Sequence, residues 1–151
     1  MARLYADHPL SLIAERLRWR AEGLGVSPAE LPETDDPLYF LRIAAREDFT
    51  ARIAAAMEEQ LTREEEVHAA STAVPVPHAA WLVQHLAASG RQVAATTNNS
   101  ARAVLAYLEG QNLRKHFGSY VHGRAADPAL LKPHPDCLER ALASTWHLRT
   151  A

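Results

Sequence analysis

The sequence is poor in cysteine, in long apolar runs and in charge of one sign. Its single thiol, Cys137, cannot form an intrachain disulfide, and its apolar runs are far shorter than the roughly 20 residues that cross a bilayer. The N-terminus has no signal-like apolar core. Sixteen basic residues stand against eighteen acidic ones, and the basic residues are scattered. These absences argue against a disulfide-stapled, membrane or nucleic-acid-binding protein, and they predict a cytoplasmic one.

What is present suits a globular protein of one domain, or a small core with an inserted cap. Apolar residues make up 48% of the 151 residues, which is enough for a core of that size. The prolines Pro75 and Pro77 separate two sequence patterns. Residues 1–74 predict an all-helical region, and residues 75–151 predict an α/β region.

The helical pattern of residues 1–74 has clear start and stop signals. One helix is predicted from Pro9 to Gly23, and a second begins at Asp36-Pro37, a cap followed by a first-turn proline. The helical period continues from Phe49. The stretch Thr62–Glu65 then predicts a capping box that restarts the helix.

The second half alternates helices with strands. The predicted elements are a helix over Ala79–Ser89, a strand over Gln92–Thr97, a helix from about Ser100 to Glu109, a strand over Ser119–His122 and a helix from Pro135. In the first of these helices we expect Trp81, Leu82, His85 and Leu86 to face inward. Such alternation is typical of a parallel α/β layer.

The run Ala94–Ser100, AATTNNS, places polar groups where a predicted strand ends and a helix begins. Ligands of open parallel sheets bind beyond the carboxyl ends of the strands, and a helix N-terminus favours an anion. The Thr97 hydroxyl and the backbone amides of Asn98 and Asn99 could therefore bind a phosphoryl group. The alternative is an Asn or Ser cap on an ordinary helix.

The run Leu131–Asp136, LKPHPD, holds a lysine in an extended turn. Pro133 keeps Lys132 out of helical geometry, and Pro135 opens the next helix. A positioned ammonium group would suit an anion site at the strand ends. The alternative for Lys132 is a solvated loop lysine.

The stretch Gly90–Leu142, which contains both runs, resembles the middle of a haloacid dehalogenase (HAD) superfamily hydrolase, of the phosphoglycolate phosphatase-like kind with a helical cap. The resemblance implies a HAD-like Rossmannoid sheet that is incomplete here, with the helices before Pro75 as the cap. It implies that Thr97 binds the substrate phosphoryl group, that Asn98 adds a backbone amide, and that Lys132 is a catalytic residue that neutralises the phosphate and the nucleophile. It also implies phosphate monoester hydrolysis of a small phosphorylated metabolite, with magnesium as cofactor.

Two motifs of that family are absent from these 151 residues. No two aspartates are separated by one residue, so the Asp-x-Asp nucleophile pattern is missing, and no glycine precedes an aspartate, so the Gly-Asp metal motif is missing too. The aspartates are Asp7, Asp35, Asp36, Asp48, Asp127 and Asp136. The chain alone is therefore expected to retain no cofactor and not to hydrolyse phosphate monoesters.

Two hypotheses remain open at this point. In the first, the chain is the cap and middle of a phosphohydrolase, and a truncated gene or gene model explains the missing ends, where the tail STWHLRTA departs from the family. In the second, it is a noncatalytic remnant that acts as a binding or interaction module. With few strands left, an unpaired strand edge predicts marginal stability, self-association or a complementing chain.

Other candidate residues have simpler explanations. The histidines lack a metal-ligand spacing and are expected to be caps or solvated groups, so no metal site is predicted. They include His78, His85, His116, His122 and His134. Cys137 has no evident catalytic partner and is interpreted as a packing residue. The charged run Arg63–Glu66 is expected to be a solvated helix face.

Overall fold

A computed structural model describes residues 2–6, 9–46 and 50–146. Within these ranges the chain is mostly helical with short strands. The helices are α1 (Leu10–Glu22), α2 (Pro37–Arg46), α3 (Ala51–Ser71), α4 (Ala79–Ala88), α5 (Ala101–Gly110) and α6 (Asp136–Trp146), and the strands are β1 (Ala2–Arg3), β2 (Val74–Pro75), β3 (Ala95–Thr96) and β4 (Val121–His122). The mixed α/β class is confirmed. Asp7, Asp48, Phe49 and the last five residues of the tail lie outside the described ranges.

Helices α1, α2 and α3 pack around one apolar cluster. Its fully buried members include Ile13, Leu17, Phe40, Met57 and Leu61. Two predicted boundaries are confirmed: Asp36 accepts a hydrogen bond from the Leu38 N–H at 2.9 Å at the start of α2, and α1 ends immediately before Gly23. Side-chain capping by Asp36 therefore sets the start of α2.

Helix α3 is one continuous helix, so the predicted restart at Thr62 is wrong. The Thr62 hydroxyl bonds to the Glu58 carboxylate at 3.2 Å, one turn earlier, and does not cap a helix N-terminus. No glycine or proline interrupts residues 51–71, and the inward spacing of Ile53, Met57 and Leu61 continues to Ala69. The helix consequently contributes to two apolar clusters.

The predicted parallel pairing is present but short. Strand β3 pairs in parallel with β4, with Ala95 opposite Val121 and Thr96 opposite His122. Among the described residues β4 is the only neighbour of β3. The strands predicted over Gln92–Thr97 and Ser119–His122 are therefore too long, because a ladder forms only where the two segments face each other.

Strands β1 and β2 correct the prediction of an all-helical first region. Ala2 pairs with Pro75 and Arg3 with Val74 in an antiparallel ladder. Two residues are too few to show a strand period in a sequence. Only the return of the chain after α3 brings these segments together.

Helix α4 is oriented differently from the prediction. Val83 is its buried residue, whereas Trp81 and Leu82 are 62% and 50% exposed, and His85 is exposed and stacks on Trp81 with ring centroids 5.1 Å apart. A mostly apolar cavity of about 470 Å³ lies between α4, the β3 segment and α5, and Leu82 and Leu86 line it. The prediction that all four residues face inward is therefore wrong: Leu82 and Leu86 line a cavity, and Trp81 and His85 face outward.

Across the described ranges, the helices are too short or too polar to span a bilayer.

Candidate functional site

The turn after β3, residues 97–100, is held by its own side chains. The Thr97 hydroxyl oxygen accepts a hydrogen bond from the Asn99 N–H at 3.1 Å, and Ser100 caps α5 by accepting from the Ala103 N–H at 3.1 Å. The Ser cap that the sequence left open is therefore present. The prediction that the Asn99 amide points at a ligand is wrong, because Thr97 already accepts that N–H.

Lys132 lies against this turn. Its backbone N–H donates to the Asn98 Oδ1 at 2.8 Å, and its Nζ donates to the Thr96 carbonyl at 2.9 Å. Arg42 of α2 donates to the Lys132 carbonyl at 2.6 Å from the other side. Thr97, Asn98 and Lys132 are each half-buried, so Lys132 is not a solvated loop lysine. The three residues named from the sequence lie together at one end of β3.

The histidines and the cysteine serve local roles. His134 Nδ1 accepts the Asp136 N–H at 3.2 Å at the start of α6, and His78 and His85 are exposed. Cys137 is 3% exposed, as expected of a packing residue. Over the described ranges, no three His, Cys, Asp or Glu side chains are placed to hold a metal ion.

A buried ionic group that sequence reasoning missed lies behind the turn. We call it the Arg124 cluster: Arg124, which follows β4, with Glu58, Thr62 and Glu65 of α3. The Arg124 side chain is 2% exposed; its Nε lies 2.8 Å from both Glu58 carboxylate oxygens, and its Nη1 lies 2.7 and 2.8 Å from those of Glu65. Its Nη2 donates to the Thr62 hydroxyl at 3.1 Å. Residues 58, 62 and 65 share one helical face, and that polar stripe was the available sequence signal.

Glu65 corrects the prediction that Arg63–Glu66 is a solvated face. Its side chain is fully buried, and it accepts the Ser100 N–H at 2.8 Å as well as the Arg124 guanidinium. Burial raises the pKa of Glu65, while Arg124 and Ser100 act in the opposite direction. The pKa of Tyr5 is raised by burial and by the negative charge of Glu65, with which the phenol shares a hydrogen bond. The phenol is therefore neutral. Glu65 thus joins α3, the N-terminus of α5 and the strand β4 end.

The residues at the strand end do not fit magnesium, the cofactor that the family resemblance implies. Thr97, Asn98 and Lys132 offer a hydroxyl, an amide and an ammonium group, whereas Mg²⁺ in proteins is held through carboxylates. The nearby carboxylates of Glu58 and Glu65 are both bonded to Arg124. The hydroxyl, the amide and the ammonium group are hydrogen-bond donors, which suit an anion better than a cation.

Comparison of the chain with family models, with curated proteins and with solved structures finds no match.

Proposed function

We propose that this chain carries the phosphate-binding part of a HAD-type phosphohydrolase site, with the helical region of residues 1–74 as its cap. One observation carries the proposal: Lys132 and Asn98, from two distant segments that both resemble motifs of that family, bond to each other at the carboxyl end of β3. The substrate would be a small phosphorylated molecule, bound by Lys132, the Thr97 hydroxyl and the Asn98 backbone amide.

The chemistry of these groups supports phosphate binding of limited strength. The Lys132 ammonium has three N–H donors, of which the Thr96 carbonyl takes one. The N-terminus of α5 also attracts negative charge, but the Glu65 carboxylate already accepts the Ser100 N–H there. A phosphate dianion would therefore rely mainly on Lys132, and we expect weak binding.

In this proposal the residues of this chain bind and orient the phosphoryl group, and none of them attacks phosphorus. Neither a threonine hydroxyl nor a lysine without an adjacent base replaces an aspartate nucleophile. We therefore propose that the nucleophile comes from residues outside these 151. Arg42 of α2 reaches the Lys132 carbonyl, which fits a cap region that lies over the site.

The test is a titration of the isotope-labelled full chain with inorganic phosphate, followed by amide NMR. We expect the largest shifts at Thr97, Asn98 and Lys132, and their loss in Lys132→Met. The chain has one other lysine, the exposed Lys115, and Lys115→Met is the matched control that removes the same charge. Shifts confined to other regions, or equal losses in both variants, would contradict the proposal.

The second candidate is a noncatalytic interaction module. The observation that favours it is the exposure of large apolar residues on α6, where Leu138 and Leu142 are 51% and 65% exposed. Translation of the flanking DNA in all frames separates the two candidates. An Asp-x-Asp strand upstream and a Gly-Asp strand downstream favour the hydrolase, whereas unrelated flanking sequence favours the module.

A further inference from the structure

The Arg124 cluster touches the 97–100 turn directly as well as through Glu65. Arg124 Nη1 donates to the Asn98 carbonyl at 3.3 Å, and the Arg124 backbone N–H donates to the Asn99 carbonyl at 3.0 Å. Glu65, held by the same guanidinium, accepts the Ser100 N–H. Three consecutive residues of the turn are therefore fixed by one arginine and its carboxylate partner.

The backbone beneath the turn leaves it no space to shift toward β4. A Cβ added to Gly123 would lie 2.8 Å from the Asn99 carbonyl oxygen and from the Ala101 Cα. Such distances are shorter than real Cβ contacts, so the segment that carries Arg124 is seated tightly against the turn. The Arg124 guanidinium therefore has a fixed position relative to Asn98.

The geometry is specific to arginine. The planar guanidinium bonds two carboxylates, a hydroxyl and a carbonyl at the same time, and the point charge of a lysine has too few donors in those directions. The side chains of Arg124 and Glu65 are both buried. In a buried environment an unpaired charge is costly, whereas a fully hydrogen-bonded pair of charges is rigid. The cluster thus restrains the turn strongly.

We propose that Arg124 and Glu65 are positioning residues for phosphate binding: through Asn98, Asn99 and Ser100 they hold the 97–100 turn in the conformation that binds the anion. This inference rests on the proposed function for its ligand. It assigns a role to α3 as well, since the carboxylates of this cap-region helix shape the anion site without touching the anion.

The experiment compares Arg124→Lys with Arg102→Ala in the full chain. Arg102 of α5 also bridges to α3, through Glu59 and Glu66, but it is 55% exposed and its bonded partners lie outside the turn. For Arg124→Lys we expect about tenfold weaker binding of inorganic phosphate, by analogy with the loss seen when residues that orient metal ligands are replaced. We also expect faster amide hydrogen exchange at Asn99 and Ser100 without phosphate. Arg102→Ala should change neither, after correction for global stability measured in urea.

Each result has a defined meaning. Equal phosphate affinity and equal exchange at the turn in the two variants would overturn the positioning role. If Arg124→Lys does not fold, Glu65→Gln replaces it, because it keeps the shape and an acceptor oxygen, and the same two readouts apply. If the unaltered chain shows no phosphate shifts, the proposed function fails and the role in phosphate binding fails with it, while the exchange comparison at Asn99 and Ser100 still shows whether the cluster restrains the turn.

Discussion

At the scale of single residues, the site depends on close backbone packing that a side chain would disturb. Gly123 lies between β4 and Arg124. Because it has no side chain, the backbone of residues 99–101 can approach it closely. Nothing in the residue pattern of VHGRA distinguishes this glycine from an ordinary turn glycine. The approach is set by a segment more than twenty residues away.

Replacing Gly123 by alanine should therefore destabilise the protein. The new Cβ would force the Asn99–Ala101 backbone to move, at a cost of about 1–3 kcal/mol in the free energy of unfolding, as for other overpacking changes. Urea unfolding measures the loss. Gly110→Ala is the control, because a Cβ at that helical position meets nothing within 4 Å and should leave stability unchanged or slightly raised. Equal stability of the two variants would show that Gly123 is not tightly packed.

At the scale of elements, β4 is joined to α6 through His122. The His122 Nε2 lies 3.0 Å from the Ser144 hydroxyl oxygen, and that hydroxyl donates to the Ala141 carbonyl at 2.9 Å. With the hydroxyl donating to Ala141, the serine oxygen accepts from the Nε2–H of the neutral imidazole tautomer. Burial, with a contribution from the charge of Arg140, lowers the pKa of His122.

This lowered pKa predicts how stability changes with pH. Between the folded-state pKa and the ordinary value of 6.5, the unfolded chain binds more protons at His122 than the folded chain does. The contribution of His122 to stability is thus fully present above pH 6.5 and is lost as the pH falls through the folded pKa. His122→Asn should flatten that part of the curve relative to the unaltered chain, measured by urea unfolding from pH 5 to pH 8. Parallel curves for the two proteins would exclude a lowered pKa.

At the scale of the whole molecule, two apolar clusters share α3 but leave some helix faces open. On α6, Cys137 and Ala141 are buried while Leu138 and Leu142 are more than half exposed, and on α4 Trp81 is exposed. In the described residues, each sheet has two strands. Two-stranded sheets are marginal, and uncovered apolar faces favour association.

We therefore expect the chain to associate in a concentration-dependent way on size-exclusion chromatography. The double variant Leu138→Gln and Leu142→Gln should elute closer to the monomer without a loss of stability, because both side chains are largely exposed already. Leu10→Gln, at an exposed position of α1 that is 41% accessible, is the control and should not alter elution. A monodisperse monomer of the unaltered chain, with a steep cooperative urea transition, would contradict the expectation.

Several helix boundaries were predictable from local sequence, and so was the proximity of Thr97, Asn98 and Lys132. The cap at Asp36, the stop at Gly23 and the cap at Ser100 are each decided within a few residues, because helix termini need local partners for their free backbone groups. The parallel pairing of β3 with β4 was predictable from the alternation of helices and strands in residues 75–151.

Other features of the fold depend on contacts between segments that are far apart in the sequence. The pairing of β1 with β2, the continuity of α3 through Thr62, the exposed face of α4 and the burial of Glu65 beside Arg124 depend on which distant segment lies opposite. From the sequence, Glu65 is expected to be solvated, because its partner Arg124 lies 59 positions away in the chain. Charge pairing and strand pairing are contacts in space, and their energies depend on burial, which no local stretch of sequence specifies.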